Sequence, residues 1–107
     1  MADITEINDN NFKSEVVEFG NLTVVDFFAP WCGPCRKMGE VLAQLADDYQ
    51  GRVNIYKLNT DANLETAQNY SVSSLPTILI FKDGEEKERL VGLMPKSSLI
   101  KNIDKHL

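Results

Sequence analysis

The feature that most constrains the fold is a near-continuous apolar and β-branched run over residues 22–28, interrupted only by Asp26. A strand that is apolar on both faces is typical of the centre of a sheet with helices packed on each side. Pro30 ends the run, and Pro34 suits the first turn of a helix, where its missing N–H is not needed. The pattern therefore predicts a central strand that leads directly into a helix.

The helix after this strand has the clearest periodicity in the chain. Its apolar residues recur at helical spacing and would cover one face: Met38, Val41, Leu42, Leu45, Ala46 and Tyr49. Gln50 and Gly51 are expected to close it.

Weaker patterns predict four further strands and three further helices. The strands are expected over residues 4–7, 53–58 and 77–81 and through Leu90 and Val91, with an Asp83-Gly84 hairpin turn between the last two. One helix would follow cap oxygens from Asn8, Asp9 and Asn10, carry Phe12, Val16 and Val17, and end at Gly20-Asn21. A second would start near a cap at Asp61 with Leu64, Ala67 and Tyr70 inward, and a third would follow Pro95 with Leu99, Ile100, Ile103 and Leu107 inward.

The predicted order is βαβαβ followed by ββα. Crossover connections give parallel strand pairs, and the Asp-Gly turn makes the last pair antiparallel. The sequence thus predicts an α/β fold with a mixed five-stranded sheet flanked by four helices. Repeats, linkers and low-complexity segments are absent from the sequence, so residues 1–107 are expected to form one domain.

Charge and composition exclude several classes of function. The net charge is −5, without a basic cluster, so nucleic acids and membrane surfaces are not expected partners. The N-terminal residues lack the pattern of a secretory signal, which predicts a cytoplasmic protein, although a removed transit peptide would leave no trace. One histidine, His106, and two cysteines are too few for a zinc site, and no cofactor is predicted.

Both cysteines lie in Trp31-Cys32-Gly33-Pro34-Cys35, at the predicted junction of strand and helix. A disulfide that closes so short a loop stabilises a fold by only about 2 kcal/mol, against roughly 4.7 kcal/mol for a 100-residue loop. Structural disulfides are also rare in a reducing compartment. The pair is therefore interpreted as a redox dithiol, with Cys32 favoured as the thiolate because it lies at the helix N-terminus.

Asp26 is the one charged residue of the central run. Burial within an apolar strand would raise its pKa towards neutrality and suit it to proton transfer. From the sequence alone, a position at a frayed strand edge in contact with water stays open as the alternative.

Several short motifs, taken together, resemble the thioredoxin family over essentially the whole chain. They are Val25-Asp26-Phe27, Trp31-Cys32-Gly33-Pro34-Cys35, Lys57-Leu58-Asn59, Leu75-Pro76-Thr77, Phe81-Lys82-Asp83-Gly84 and Val91-Gly92. The resemblance implies the thioredoxin fold and a general protein-disulfide reductase. It implies disulfide-containing target proteins, a thioredoxin reductase linked to NADPH or to ferredoxin, and a monomer.

The resemblance also implies unequal roles for the site residues. Cys32 would attack, Cys35 would resolve the mixed disulfide, and Asp26 beneath Cys35 would accept its proton. Lys57 would lie near Asp26 and modulate it, with an exposed strand lysine as the open alternative. Gly33 and Pro34 would set a reducing poise.

A docking surface for targets is implied by the same resemblance, formed by Trp31, Leu75, Pro76 and Gly92, together with Leu93. The Leu75–Pro76 bond is expected to be cis, which would present the Leu75 backbone beside Cys32 to an extended substrate segment.

The sequence departs from the family at two positions. Phe28 stands where tryptophan is usual, which removes an indole donor. Glu40 replaces a helix-kinking proline, and with Gly39 beside it we expect a straighter helix or a mild bend.

Two other functions stay open: a binding subunit whose redox activity is incidental, and an oxidase or isomerase that runs the chemistry in reverse.

Overall fold

The computed structural model describes residues 4–107, so the first three residues of the N-terminal segment considered above lie outside the described residues. The strands are β1 (Thr5–Ile7), β2 (Thr23–Phe28), β3 (Asn54–Asn59), β4 (Thr77–Lys82) and β5 (Glu85–Val91). The helices are a short π-helix (Lys13–Val17), α1 (Gly33–Asp48), α2 (Leu64–Asn69) and α3 (Lys96–Asp104).

The five strands form one mixed sheet in the order β1-β3-β2-β4-β5. β3 pairs in parallel with β1 and with β2, whereas β4 is antiparallel to β2 and to β5. The predicted α/β fold, the mixed sheet and the central position of the apolar strand are confirmed.

Each face of the sheet carries its own core, which is why β2 is apolar on both sides. On one face, buried residues of α1 and α3 pack on Val24, Ile78 and Ile80. On the other, the π-helix and the segment after α2 pack on Val25, Phe27, Leu79 and Phe81. Apolar burial of this kind stabilises a fold by about 25 cal/mol per Å², so the two cores hold β2 and its neighbours firmly in place.

The long helix α1 begins where Pro34 predicted it. Met38, Leu42, Leu45 and Tyr49 are buried against the sheet, and Val41 and Ala46 are half-buried beside them. The helix runs without interruption from Gly33 to Asp48, past Gly39 and Glu40.

Three local expectations are wrong. Leu64 and Leu107 are exposed rather than inward; Leu64 is the first residue of α2, and Leu107 lies beyond the end of α3. Asp61 does not cap α2, because its carboxylate accepts a hydrogen bond from Trp31 instead. The cap of α2 comes from Asp9, whose Oδ1 accepts the Thr66 N–H at 2.9 Å and the Thr66 hydroxyl at 2.6 Å.

The predicted N-terminal helix exists, but in a different form. It is a π-helix of five residues, and Phe12 at its start makes no side-chain cap bond. Asn8 Oδ1 instead accepts the N–H groups of Asn10 and Asn11 at 2.9 and 3.0 Å, ordering the turn before the helix. Phe12 and Val16 are buried as predicted.

Within residues 4–107, α1 and the other helices are too short or too polar to cross a membrane.

Replacing Gly39 with alanine is expected to stabilise the protein by about 1 kcal/mol, the helix-propensity difference between the two residues. Gly39 lies inside α1, and a Cβ built there meets nothing within 4 Å. The free energy of unfolding in urea measures the gain. Gly51→Ala is the control, because Gly51 has φ +83° and should lose stability; a loss in both variants would contradict this account.

Candidate active site

The two cysteines lie at the N-terminal end of α1 and are joined as a disulfide, with their Cα atoms 5.3 Å apart. Cys32 is the N-cap residue, and its Sγ accepts the Cys35 N–H at 3.2 Å. A sulfur at this place faces the free N–H groups and the positive end of the helix dipole, both of which favour negative charge. The position of Cys32 thus favours its thiolate.

The cysteines belong to a small apolar cluster. Ala29, Cys32 and Cys35 are buried together, and Phe28 and Leu75 pack against them. The exposed fractions of Cys32 and Cys35 are 5% and 4%, so exposure does not distinguish the two cysteines in the disulfide form. Their difference lies in the helix terminus beside Cys32.

Asp26 lies in the middle of β2 and is only 2% exposed. Its Oδ1 is buried and makes no hydrogen bond. Burial raises the pKa of Asp26 from its ordinary value of 3.8 to about 7, and the positive charge of Lys57 opposes this rise less strongly. The frayed-edge alternative is therefore wrong, because β2 is paired on both sides.

Lys57 lies directly across from Asp26 in the parallel pairing of β2 and β3. Its side chain is half-buried, and Nζ lies 5.7 Å from the centre of the Phe28 ring. A cation at this distance from an aromatic face is attracted to it. The alternative of a freely exposed strand lysine is wrong.

A cavity of about 420 Å³ opens beside Cys35. Residues of β2, β3 and α1, and of the segments before β1 and after β2, line it: Ile4, Asp26, Phe28, Ala29, Pro30, Cys35, Arg36, Gly39, Glu40, Ala43 and Lys57. Asp26 and Cys35 therefore share one space, although nine positions separate them in the chain.

Trp31 is the most exposed large apolar residue beside the cysteines, at 68%. Its Nε1 donates a hydrogen bond of 2.8 Å to Asp61 Oδ2. Sequence reasoning did not predict Asp61 as the hydrogen-bond partner of Trp31. The signal available was the departure at Phe28, which leaves Trp31 as the sole indole donor of the chain.

Leu75, Pro76 and Gly92 come from two segments far from the cysteines in the sequence, and Leu75 packs against the cysteine cluster. The Leu75–Pro76 bond is cis, as the resemblance implies. Gly92 N–H donates a hydrogen bond of 2.8 Å to the Pro76 carbonyl, so these two positions lie side by side. Val91 and Leu93 flank Gly92 with exposed apolar side chains. The structure thus brings together the residues predicted from motifs in three separate segments.

His106 lies next to the C-terminal residue, and its Nε2 is 2.7 Å from Glu88 Oε2. Among residues 4–107, His, Cys, Asp and Glu form no group of three or more that could hold a metal ion.

A dithiol at a helix N-terminus, above a buried acid in a mixed α/β sheet, defines a thiol–disulfide oxidoreductase. A family model described as "Thioredoxin" matches residues 3–105. "Thioredoxin 1" of Nostoc sp. is 40% identical over 107 residues and is covered completely, as is this chain. "Thioredoxin" of Staphylococcus saprophyticus is 46% identical over 104 residues, covering 97% of this chain and 98% of that protein.

"Thioredoxin M-type, chloroplastic" of Spinacia oleracea is 44% identical over 107 residues, and the chain spans 59% of its length.

The chain belongs to the thioredoxin family. It is a protein-disulfide reductase that cycles between a Cys32/Cys35 dithiol and an intramolecular disulfide. Its partners are disulfide-containing target proteins and the reductase that restores its dithiol.

Proposed function

We propose that Cys32 attacks target disulfides and that Cys35 then resolves the mixed disulfide, with Asp26 as the acceptor of the Cys35 proton. Two observations carry this proposal: Asp26 and Cys35 line one cavity, and the Cys32 sulfur lies at the N-terminus of α1.

The reaction has two exchange steps. The Cys32 thiolate attacks one sulfur of the target disulfide, which forms a Cys32–target disulfide and releases the first target thiolate. The Cys35 thiol gives its proton to the Asp26 carboxylate, and its sulfur attacks Cys32 Sγ. The Cys32–Cys35 disulfide forms, the second target thiolate leaves, and two electrons have passed to the target.

Asp26 suits this task because its pKa of about 7 lies close to neutral pH. A base whose pKa is near the working pH is present in its ionised form and still holds a proton well. Lys57 faces it from β3 and favours the carboxylate form, which is the modulating role that we assign to this residue.

Target binding is assigned to the surface formed by Trp31, Leu75, Pro76 and Gly92. Asp61 supports it, since its carboxylate fixes the exposed indole by a hydrogen bond. An extended segment of the target could lie along this apolar surface, with Leu75 against the cysteine cluster. We assign to Gly33 and Pro34, in the first turn of α1, the tuning of the reduction potential of the cysteine pair.

We further propose that residues 1–107 form one domain that acts as a monomer in the cytoplasm. The reductase would draw its electrons from NADPH or from ferredoxin. A single sheet that takes strands from both halves of the sequence supports one domain.

Insulin reduction in the presence of dithiothreitol tests the proposal. The wild-type chain is expected to accelerate precipitation of the insulin B chain, and Cys32→Ser to abolish the acceleration. Cys35→Ser should trap target proteins as mixed disulfides at Cys32, because the resolving sulfur is gone.

Lys37→Gln, an exposed position of α1, is the matched control and should behave as wild type. A wild-type chain that neither accelerates the reaction nor yields trapped partners in Cys35→Ser would favour the binding subunit instead.

A further inference from the structure

The segment that joins α2 to β4, residues 70–76, is held at both ends by β5 and the residue that follows it. At one end, the Gly92 N–H donates a hydrogen bond of 2.8 Å to the Pro76 carbonyl. At the other end, the Arg89 side chain of β5 donates one of 2.6 Å to the Tyr70 carbonyl. Pro76 belongs to the surface assigned to target binding, so these bonds hold the two ends of a segment that carries part of that surface.

We propose that Arg89 is a positioning residue for target binding, because it holds residues 70–76 in the conformation that keeps Leu75 against the cysteine cluster and Pro76 beside Gly92. The inference rests on the target-binding surface proposed above. In this scheme Arg89 acts through the backbone of the segment and not by contact with the target.

The chain leaves α2 through a turn that is unfavourable for the residue it contains. The Ser71 N–H donates to the Gln68 carbonyl at 3.0 Å. The Val72 N–H donates to the Ala67 carbonyl at 2.8 Å, which completes the two bonds of a Schellman motif. Glycine usually occupies the left-handed position of this motif, but here Ser71 has φ +54°. Since a serine is strained in this conformation, contacts from outside the helix decide how fully the turn is populated.

Arg89 supplies such contacts on both sides of the strained residue. Its guanidinium donates to the Tyr70 carbonyl at 2.6 Å and to the Ser71 carbonyl at 3.4 Å. Glu86 fixes the guanidinium in turn, because its two carboxylate oxygens accept from Nε and Nη2 at 2.9 Å each. A forked pair of this kind has a defined geometry. The two side chains are 33% and 31% exposed, so water reaches the pair only in part.

The segment itself has little packing to hold it. Ser71, Ser73 and Ser74 are exposed, and Val72 and Leu75 are half-buried. Segments with few buried apolar contacts open locally at a low cost in free energy. The hydrogen bonds at the two ends therefore have a large effect on where Leu75 lies.

Arg89→Met removes the hydrogen bonds of the guanidinium but keeps a long side chain on β5. We expect the insulin concentration that half-saturates the reduced chain to rise about tenfold, because apparent affinity falls with the fraction of chains in the binding conformation. The limiting rate should stay at the wild-type value, since the cysteines are unchanged. Single-turnover reduction of fluorescein-labelled insulin, whose emission rises as its chains separate, measures both quantities.

Two controls separate weaker docking from a general effect. Reduction of dithiobis(nitrobenzoate), a small disulfide that needs no docking surface, should proceed in Arg89→Met at the wild-type rate. Lys87→Met is the matched variant, because Lys87 lies on the same strand and forms an ion pair with Glu85 at 3.0 Å. It should bind insulin as wild type does. Slower reduction of the small disulfide in Arg89→Met would contradict an effect confined to docking.

Arg89→Lys tests whether the charge alone is enough. Lysine keeps the charge but lacks the planar fork that bonds Glu86 and two carbonyls together. We therefore expect it to weaken insulin binding nearly as much as Arg89→Met. Wild-type binding by Arg89→Lys beside weak binding by Arg89→Met would show that the charge acts on the target directly, which would overturn the positioning role.

Ser71→Gly provides a rescue that a general loss of stability would not show. Glycine adopts the left-handed conformation without strain, so the turn no longer depends on Arg89. In the double variant Arg89→Met/Ser71→Gly, the half-saturating concentration should return close to the wild-type value, with circular dichroism as the check on the fold. A double variant as weak as Arg89→Met would overturn the proposal, as would wild-type binding by Arg89→Met itself.

Trp31→Ala distinguishes failure of this proposal from failure of the target-binding surface. If Trp31→Ala weakens insulin binding while Arg89→Met matches wild type, the surface stands and the role of Arg89 is wrong. If Trp31→Ala also matches wild type, the surface is wrong and the role of Arg89 falls with it.

Discussion

Replacing Asp26 with asparagine is expected to slow resolution of the mixed disulfide by about 100-fold at pH 8, the lower range of what a positioned base contributes. The amide has nearly the same shape but cannot accept the Cys35 proton. Stopped-flow fluorescence of Trp31, the sole tryptophan, follows the step in single turnovers between pH 6 and pH 9. Wild-type kinetics across this whole range would contradict the assignment.

The same substitution is expected to stabilise the oxidised protein, with a definite pH dependence. The pKa of Asp26 is about 7 in the folded chain, against roughly 3.9 for an unfolded aspartate. Between pH 4 and pH 7 the folded state therefore holds a proton that the unfolded state has lost, so stability falls as pH rises. Above pH 7 the cost is complete, at about 4 kcal/mol, since each tenfold change in acidity is worth about 1.4 kcal/mol.

Asp26→Asn removes this cost, so its advantage over wild type should grow from near zero at pH 4 to about 4 kcal/mol at pH 8. Urea denaturation at pH 4, 6 and 8 measures it. Asp47→Asn, an exposed position of α1, is the control and should show no such trend. An advantage that is constant with pH would show that burial of the charge is not its cause.

Gly84→Ala is expected to destabilise the protein by about 3 kcal/mol. Gly84 turns the chain between β4 and β5 at φ +81°, a conformation that costs an L-residue about 1–2 kcal/mol. A Cβ there would also lie 2.5 Å from the backbone oxygen of Val17 at the end of the π-helix. Relief of that overlap requires the backbone to move, which adds about 1–3 kcal/mol.

Gly20→Ala is the matched comparison, because Gly20 has the same φ of +81° but open space around its Cβ. It should lose only about 1–2 kcal/mol, the cost of the left-handed conformation. Urea denaturation of the two variants at one pH gives the difference. Equal losses would show that the Val17 contact has no effect on stability.

Local sequence patterns predict much of this fold because each pattern has a direct physical cause. The run at residues 22–28 is apolar on both faces because two cores cover β2. Asp83 and Gly84 turn a hairpin because both adopt positive φ. What the patterns miss depends on distant partners: Asp9 caps α2 from 57 positions away, and no local pattern at Thr66 reveals it.

The candidate site divides in the same way. Cys32, Cys35 and Asp26 are visible in the sequence because their residue types are unusual where they stand. The pairing of Trp31 with Asp61 is not visible, since it joins two loops 30 positions apart. The cavity between Asp26 and Gly39 arises only when α1 packs on the sheet.

The central claim, that the two thiols are unequal, can be tested directly on the reduced wild-type chain. Limiting iodoacetamide at pH 7, followed by peptide mapping, shows which cysteine reacts first. We predict modification almost wholly at Cys32, whose thiolate the N-terminus of α1 stabilises. Equal modification of both cysteines, or a preference for Cys35, would contradict the account.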